Sequence, residues 1–190
     1  MLAAGLSSRM VSWKMLLPWR DTTILDCTLR TALSFCDQVI LVTGFRGAEL
    51  HQRYHGLPRI RLSYNIDYRS GMFSSLRCGA HWLANEPFFV IPGDMPDIRL
   101  TTYKRLWAAH PAPESLVPVY NHRGGHPVLL PALMRSTILN APTDSNLGQL
   151  IRIYGRRNVE VDDPAIHYDL DTPDEYRQRY QSGFNSDRIF

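Results

Sequence analysis

The run Ile24-Leu25-Asp26-Cys27-Thr28-Leu29-Arg30-Thr31-Ala32-Leu33-Ser34-Phe35-Cys36-Asp37-Gln38-Val39-Ile40-Leu41-Val42-Thr43-Gly44 joins two periodicities. Leu25, Leu29, Ala32, Leu33 and Cys36 recur at helical spacing, with Thr22 or Thr23 placed to cap the helix. Residues 39–42 then form a continuous apolar, largely β-branched run that stops at Thr43-Gly44. An amphipathic helix feeding a strand that is apolar on both sides is the unit of a parallel sheet covered by helices. The pattern repeats downstream: a helix over about 46–55, a strand over 59–63, and a helix over 70–84 on which Leu76, Ala80 and Leu83 share a face. A buried strand over 88–91 follows, stopped by Pro92-Gly93, then a helix to about Ala109 with Thr101 or Thr102 as its cap. Right-handed crossovers then give an α/β fold with a doubly wound, mainly parallel sheet and helices on both faces.

After residue 115 the rhythm changes. Residues 116–120 and 127–130 flank Asn121-His122-Arg123-Gly124-Gly125, which predicts a small β-hairpin insertion with a long loop. Helices near 132–139 and 146–154, a strand near 159–161 and a closing helix after Pro173 complete the pattern. Neither repeat nor linker interrupts the 190 residues, so a single domain is expected. A chain this long buries roughly 70% of its unfolded surface and needs no staple.

The composition, 44% hydrophobic and 21% charged, is that of an ordinary globular domain and excludes disorder. A net charge of +3 suits a protein that handles phosphates but is too small to indicate nucleic acid. No apolar run approaches the ~20 residues of a membrane span, and the N-terminus lacks the charged and apolar regions of a signal peptide. Cys27, Cys36 and Cys78 are odd in number and form no CxxC pair. Reduced thiols packed on helices, and a cytoplasmic location, are the expectation.

Four stretches can carry chemistry. Leu2-Ala3-Ala4-Gly5-Leu6-Ser7-Ser8-Arg9-Met10, with Lys14 close behind, is a small-residue loop whose backbone N–H groups can approach an anion. Arg9 adds a planar fork for phosphate oxygens and Lys14 a point charge. The spacing is neither that of the P-loop nor that of GxGxxG, and a Gly/Ser turn carrying two solvated cations accounts for it equally. Asp94, in Ile91-Pro92-Gly93-Asp94-Met95-Pro96, follows a buried strand where open α/β sheets bind ligands, and a lone carboxylate there suits Mg²⁺. A turn or cap role is the alternative. Asp169 and Asp171 alternate in Asp169-Leu170-Asp171-Thr172-Pro173-Asp174-Glu175 and offer a second metal ligand, while Asp171 or Thr172 can equally cap a helix begun by Pro173. Gly124-Gly125-His126-Pro127 allows close approach of backbone to a ligand, with His126 either contacting it or serving structure. Arg156-Arg157 reads as a solvated face.

Taken in order, these stretches resemble the MobA-like nucleotidyltransferase superfamily, within the glycosyltransferase-A-like fold, and most of all the molybdenum cofactor cytidylyltransferases. The family opening LAAG-x-S-x-R-M-G-x-x-K stands here as Leu2 to Lys14. Asn65 through Gly71 to Ser75, Gly93-Asp94-Met95-Pro96, Gly125-His126-Pro127 and the Asp-Thr-Pro ending also match, over nearly the whole chain. The resemblance implies Mg²⁺-dependent transfer of a nucleoside monophosphate from an NTP to a phosphate-bearing acceptor, with release of pyrophosphate. It implies that Arg9, Lys14 and Asp94 are catalytic; that Ala3, Ala4, Gly5, Ser7, Ser8, Asn65, Gly71 and Ser75 bind nucleotide; that Gly125 and His126 bind acceptor; and that Asp94, Asp169 and Asp171 hold the metal. Residues 1–100 would form the nucleotide-binding half and 101–190 the acceptor-binding half. Ala4 stands where the related guanylyltransferases carry Gly, which favours CTP, and the implied acceptor is molybdopterin serving hydroxylases of the xanthine dehydrogenase kind. Another acceptor, such as a sugar 1-phosphate, and a relative that binds without turnover remain alternatives. Two departures stand out. Val11 replaces the family's Gly, and Leu2 begins a first strand that is longer in relatives, so a weakened strand or an upstream start is expected.

Overall fold

A computed structural model describes residues 1–7, 10 and 13–186, the last five as backbone only. Strand β1 (Leu2–Ala3) lies parallel to β4 (Val39–Thr43), which pairs in parallel with β5 (Ile60–Tyr64). On its other side Leu2 donates its N–H to the Ile91 carbonyl (2.9 Å) and accepts from Gly93 (2.8 Å), a parallel bridge at the end of β6 (Phe88–Val90). Beyond β6 run β9 (Val128–Leu130), β7 (Ser115–Tyr120) and β10 (Arg156–Glu160). Hydrogen bonds therefore run unbroken in the order β5-β4-β1-β6-β9-β7-β10.

The outer pairings are parallel. The middle is not: β9 is antiparallel to both β6 and β7, and β8 (Arg123–Gly124) is antiparallel to β7. The expected strands 116–120 and 127–130 pair antiparallel as β7 and β9, and the long loop between them first folds back as β8 through a two-residue turn, Asn121 and His122, both in the left-handed region (φ 49° and 63°) that a tight primed turn requires. A second, two-stranded hairpin, β2 (Pro18–Trp19) with β3 (Thr22–Thr23), has no counterpart in the sequence reading.

Helices α1 (Ile24–Leu33), α2 (Gly47–Tyr54) and α4 (Leu100–Ala108) cover one face of the sheet. There Leu25, Leu29, Leu41, Leu50, Ile91 and Tyr103 pack together. Helices α3 (Met72–Ala80), α5 (Leu133–Asn140) and α6 (Leu147–Tyr154) cover the other, around Leu76, Val90, Leu130, Met134 and Ile138. Each fully buried aliphatic contributes about 1.5–3 kcal/mol.

Several boundaries differ from the sequence expectation. Thr23 caps α1 as expected, accepting from the Asp26 N–H at 3.2 Å, but the helix ends before Cys36. Helix α3 stops at Ala80 instead of 84, where Trp82 turns back onto Gly79. Neither Thr101 nor Thr102 caps α4. Buried Asp163 takes that place from a distance, accepting from the Arg99 N–H (2.9 Å) and the Thr102 hydroxyl (2.6 Å). Strand β10 begins earlier than 159, at Arg156-Arg157, whose side chains are exposed. The three cysteines are free thiols. No helix among the described residues is long and apolar enough to cross a membrane.

Beside the start of β1 the sheet opens into a cavity of about 550 Å³ lined by Met1, Phe35, Val39, Phe88 and Tyr103. A smaller cavity on the opposite face shares Met1, Ile40, Phe88 and Phe89 with it. The Met1 ammonium donates to the Ile40 carbonyl at 2.9 Å, and burial lowers its pKa to about 5.

Candidate active site

The carboxyl ends of β1, β4 and β6 converge, as expected where an open α/β sheet binds its ligand. Ala4, buried at the end of β1, accepts from the Phe45 N–H at 3.2 Å. Gly5 and Leu6 are exposed, and a Cβ added to Gly5 would meet nothing within 4 Å, so the backbone there is open to a ligand. Ser7 turns the chain in the left-handed region (φ 52°), and its carbonyl accepts from the Met10 N–H at 2.9 Å. Ser8, Arg9 and the Val11 departure lie outside the described residues.

A single 3₁₀ turn, Lys14–Leu16, carries the central cation. Lys14 Nζ lies 2.5 Å from Asp94 Oδ2 and 2.8 Å from Asp171 Oδ1, with side-chain exposures of 8%, 10% and 18% for the three residues. Burial alone would lower the Lys14 pKa, but the charge of Asp94 and hydrogen bonds to both carboxylates outweigh it, and the net shift is upward. The other Asp94 oxygen, Oδ1, is buried without a hydrogen-bond partner. Asp169 is held above the usual carboxylate range, first by burial and then by the neighbouring charge of Asp171.

Asp94 gets its position from the backbone on both sides. The Gly93 N–H is held by Leu2, the Gly93 carbonyl accepts from the Thr28 hydroxyl at 3.1 Å, and the Asp94 carbonyl accepts from the Leu170 N–H at 3.3 Å. A Cβ on Gly93 would come within 3.0 Å of Leu25 and 3.3 Å of Ala3, so glycine lets the turn lie against β1. Thr28 was not a sequence candidate; its only mark is a hydroxyl on the apolar face of α1.

The capping alternative for Asp171 is resolved by its neighbour. Thr172 caps helix α7 (Pro173–Ser186): its Oγ1 accepts from the Glu175 N–H, and Glu175 Oε2 accepts from the N–H groups of Thr172 (2.9 Å) and Asp171 (3.1 Å). The Asp171 carboxylate is thereby left to face Lys14.

Asn65 and Ser75 organise the adjoining loop by bonding one another. Asn65 Nδ2 donates to Ser75 Oγ (3.0 Å) and Ser74 Oγ (2.9 Å), while its Oδ1 accepts from the Asp67 N–H. Gly71 precedes α3 at φ 100°, a conformation that favours glycine, and no side chain caps that helix start. A Cβ on Gly44 would strike both Tyr68 and Ala4, so this loop abuts the end of β1.

From the other half of the sheet, Gly125 packs so tightly on the Ile166 backbone that a Cβ would lie 2.1 Å from its carbonyl oxygen. The His126 N–H donates to the same oxygen at 3.0 Å. The His126 ring Nδ1 is shielded from solvent and unpartnered. Burial lowers its pKa, and the Val90 carbonyl and the charge of Asp94 pull the other way. Among the described residues no group of three or more His, Cys, Asp or Glu side chains is spaced as a ready metal cage. Asp94 and Asp171 are instead organised around the Lys14 ammonium, while the charge of those two carboxylates acts on Asp169.

The sequence profile of the MobA-like NTP transferase domain matches residues 1–161. The molybdenum cofactor cytidylyltransferase of Escherichia coli is 38% identical over 183 residues, 94% of each chain. The nicotine blue oxidoreductase of Paenarthrobacter nicotinovorans is 30% identical over 150 residues, 73% of this chain and 72% of that one. A crystal structure from Mycobacterium tuberculosis, of a complex with manganese, superposes with a TM-score of 0.76 at 28% identity, over 95% of this chain and 96% of the other.

Proposed function

The chain belongs to the MobA-like NTP transferase family, a family of nucleotidyltransferases, and on that premise we propose that it transfers CMP from CTP to the phosphate of a molybdopterin-type acceptor. The carrying observation is the Lys14 ammonium held between the Asp94 and Asp171 carboxylates beside an open small-residue loop. The choice of CTP and of acceptor is supported by the likeness to the Escherichia coli enzyme and by Ala4.

In this reading an acceptor phosphate oxygen attacks the α-phosphorus, the bond from that phosphorus to its bridging oxygen breaks, and pyrophosphate leaves. The chain needs no nucleophile of its own; its task is in-line positioning and neutralisation of charge. The backbone around Gly5, with Arg9 and Lys14, holds the triphosphate. Asn65, Gly71 and Ser75 fix the loop beside the nucleoside. The half after residue 100 brings Gly125 and His126 to the acceptor, and a molybdenum hydroxylase is the consumer of the product. The site fits a divalent cation: Asp94 Oδ1 is buried and unpartnered, and hard carboxylate oxygens suit Mg²⁺, which takes only one or two from a protein. When bound by Asp94 and Asp171, such a cation supplies neutralisation of the phosphate oxygens.

The test measures pyrophosphate release with each of CTP, GTP, ATP and UTP and metal-loaded molybdopterin under Mg²⁺. CTP should be preferred by at least about tenfold, the discrimination expected of one pocket contact. Equal rates with all four would refute the base assignment, and turnover with a sugar 1-phosphate but not with molybdopterin would refute the acceptor.

A further inference from the structure

Ala4 meets the loop after β5 at one crowded point. A Cβ built on Gly44 would lie 2.5 Å from Tyr68 Cβ, 2.8 Å from Tyr68 Cγ and 2.9 Å from Ala4 Cβ. Tyr68 and Ala4 therefore flank the same spot on the Gly44 backbone, at the carboxyl ends of β1 and β4. Neither neighbour is loosely held. Ala4 is buried and its carbonyl accepts from the Phe45 N–H. The loop carrying Tyr68 is tied down on both sides: the Asn65 N–H donates to the Thr43 carbonyl at 2.8 Å, and Ser74 Oγ donates to the Asp67 carbonyl at 3.0 Å. Tyr68 itself is half-buried, and the Arg69 guanidinium lies 5.5 Å from its ring centre. An aromatic side chain is thus fixed between Asn65 and Gly71, pressed against Gly44 and Ala4, with part of its surface open.

We propose that Tyr68 is the wall that measures the size of the nucleotide base, and that Ala4 acts on specificity by propping that wall. The proposal rests on the functional reading above, which puts the nucleoside beside Ala4, Asn65 and Gly71, and it names the side chain that sets the preference. The Ala4 methyl group and the Gly44 backbone leave Tyr68 no room to sink towards β1. The single ring of a pyrimidine fits in front of such a wall, and the fused second ring of a purine collides with it. Discrimination of this kind works by exclusion, so removing the wall admits GTP more than it weakens CTP. Glycine at position 4 removes the prop and gives the ring the space of a methyl group. The wall sorts by size alone and does not separate CTP from UTP.

Affinities for CTP and GTP are measured by isothermal titration calorimetry with Mg²⁺ and without acceptor, so no turnover is needed. The wild type should bind CTP at least about tenfold more tightly than GTP, the discrimination of one pocket contact. Tyr68→Ala should bring the two within about twofold of each other, chiefly by tightening GTP, whereas Tyr68→Phe, which keeps the ring, should keep the wild-type ratio. Ala4→Gly should lower the ratio in the wild type and leave it unmoved in the Tyr68→Ala background, because neighbours that act through one contact are not additive. A ratio retained in folded Tyr68→Ala, or equal losses of CTP and GTP affinity, would overturn the wall. The same Ala4→Gly effect in both backgrounds would overturn the prop. Gly44→Ala gives a second reading should Tyr68→Ala not fold: its methyl group displaces Tyr68 without shortening it, and the ratio should again fall, a retained ratio counting against the proposal. Failure of the functional reading looks different, since the wild type itself then binds CTP and GTP alike, and the inference falls with it.

Discussion

Gly125→Ala is the sharpest test of how closely the chain after β8 packs on the backbone at Ile166. The added methyl group would stand 2.1 Å from the Ile166 carbonyl oxygen and 2.7 Å from its carbon, both backbone atoms that cannot rotate away. Reaching an ordinary 3.4 Å contact needs about 1.3 Å of separation (3.4 − 2.1), and that displacement removes the 3.0 Å hydrogen bond from the His126 N–H to the same oxygen. Overpacking costs about 1–3 kcal/mol. A hydrogen bond lost in a buried setting costs about 1–3 kcal/mol more. At roughly 2–4 °C per kcal/mol for a chain of this size, the melting temperature should fall by roughly 10 °C. Thermal unfolding followed by circular dichroism measures it. Gly5→Ala is the control, since a Cβ there meets nothing within 4 Å, and it should melt within about 2 °C of the wild type. If Gly125→Ala also melts within about 2 °C of the wild type, the close packing on Ile166 does not hold in solution.

Asp94→Asn should lower nucleotidyl transfer by on the order of 10²–10³ while the protein stays folded, because Lys14 keeps Asp171 as a partner; full activity in a variant that unfolds easily would return Asp94 to a turn role. Thr172→Ala should lose about 1 kcal/mol of stability by denaturant titration with little loss of turnover, whereas Asp171→Asn should do the reverse, and equal effects would erase the division of labour between them. Asp26 accepts from Arg53, Thr22, Thr23 and Tyr54, bonds that outweigh its burial and hold its pKa down to about 2 from 3.8. A carboxylate whose folded pKa is depressed stabilises above the unfolded value, so this contribution should vanish as pH falls from about 4 towards 2, and a stability–pH curve unchanged in Asp26→Asn would contradict it. An apolar extension of four to six β-branched residues ahead of Leu2 should fill the opening beside Met1 and raise the melting temperature, while the same length of Gly-Ser should not; equal melting of the two would refute that filling.

What the sequence reveals is what neighbouring residues decide. Helix α1 and strand β4 follow from the periodicity of residues 24–43 because each element's buried face is set within a few positions. Asp94 is legible because Pro92-Gly93 ends an apolar run just before it. The two-residue turn at Asn121-His122 is less so, since either residue in the left-handed region is uncommon and a loop of Gly and polar residues looks longer than it is. Partners far along the chain are not legible at all. Nothing near Leu100 says that Asp163 will cap α4, and nothing near Asp171 says whether its carboxylate faces a helix end or Lys14. Asn65 and Ser75 can be marked as important, but only the folded chain shows them bonded to one another.

The pairing of Lys14 with Asp171 spans 157 positions, and α7, which follows Asp171, is moored by Tyr176 to the Pro18 carbonyl at 2.8 Å and to the Trp19 ring. A ribosome adding roughly 5–20 residues per second needs about 10–30 s to cover that interval. For that time a nascent chain presents the glycine loop, Lys14 and, later, Asp94, but only half of the acidic clamp. The segment just ahead of α7 completes the clamp. A chain stalled or clipped before Asp171 would carry a well-formed sheet and no working centre.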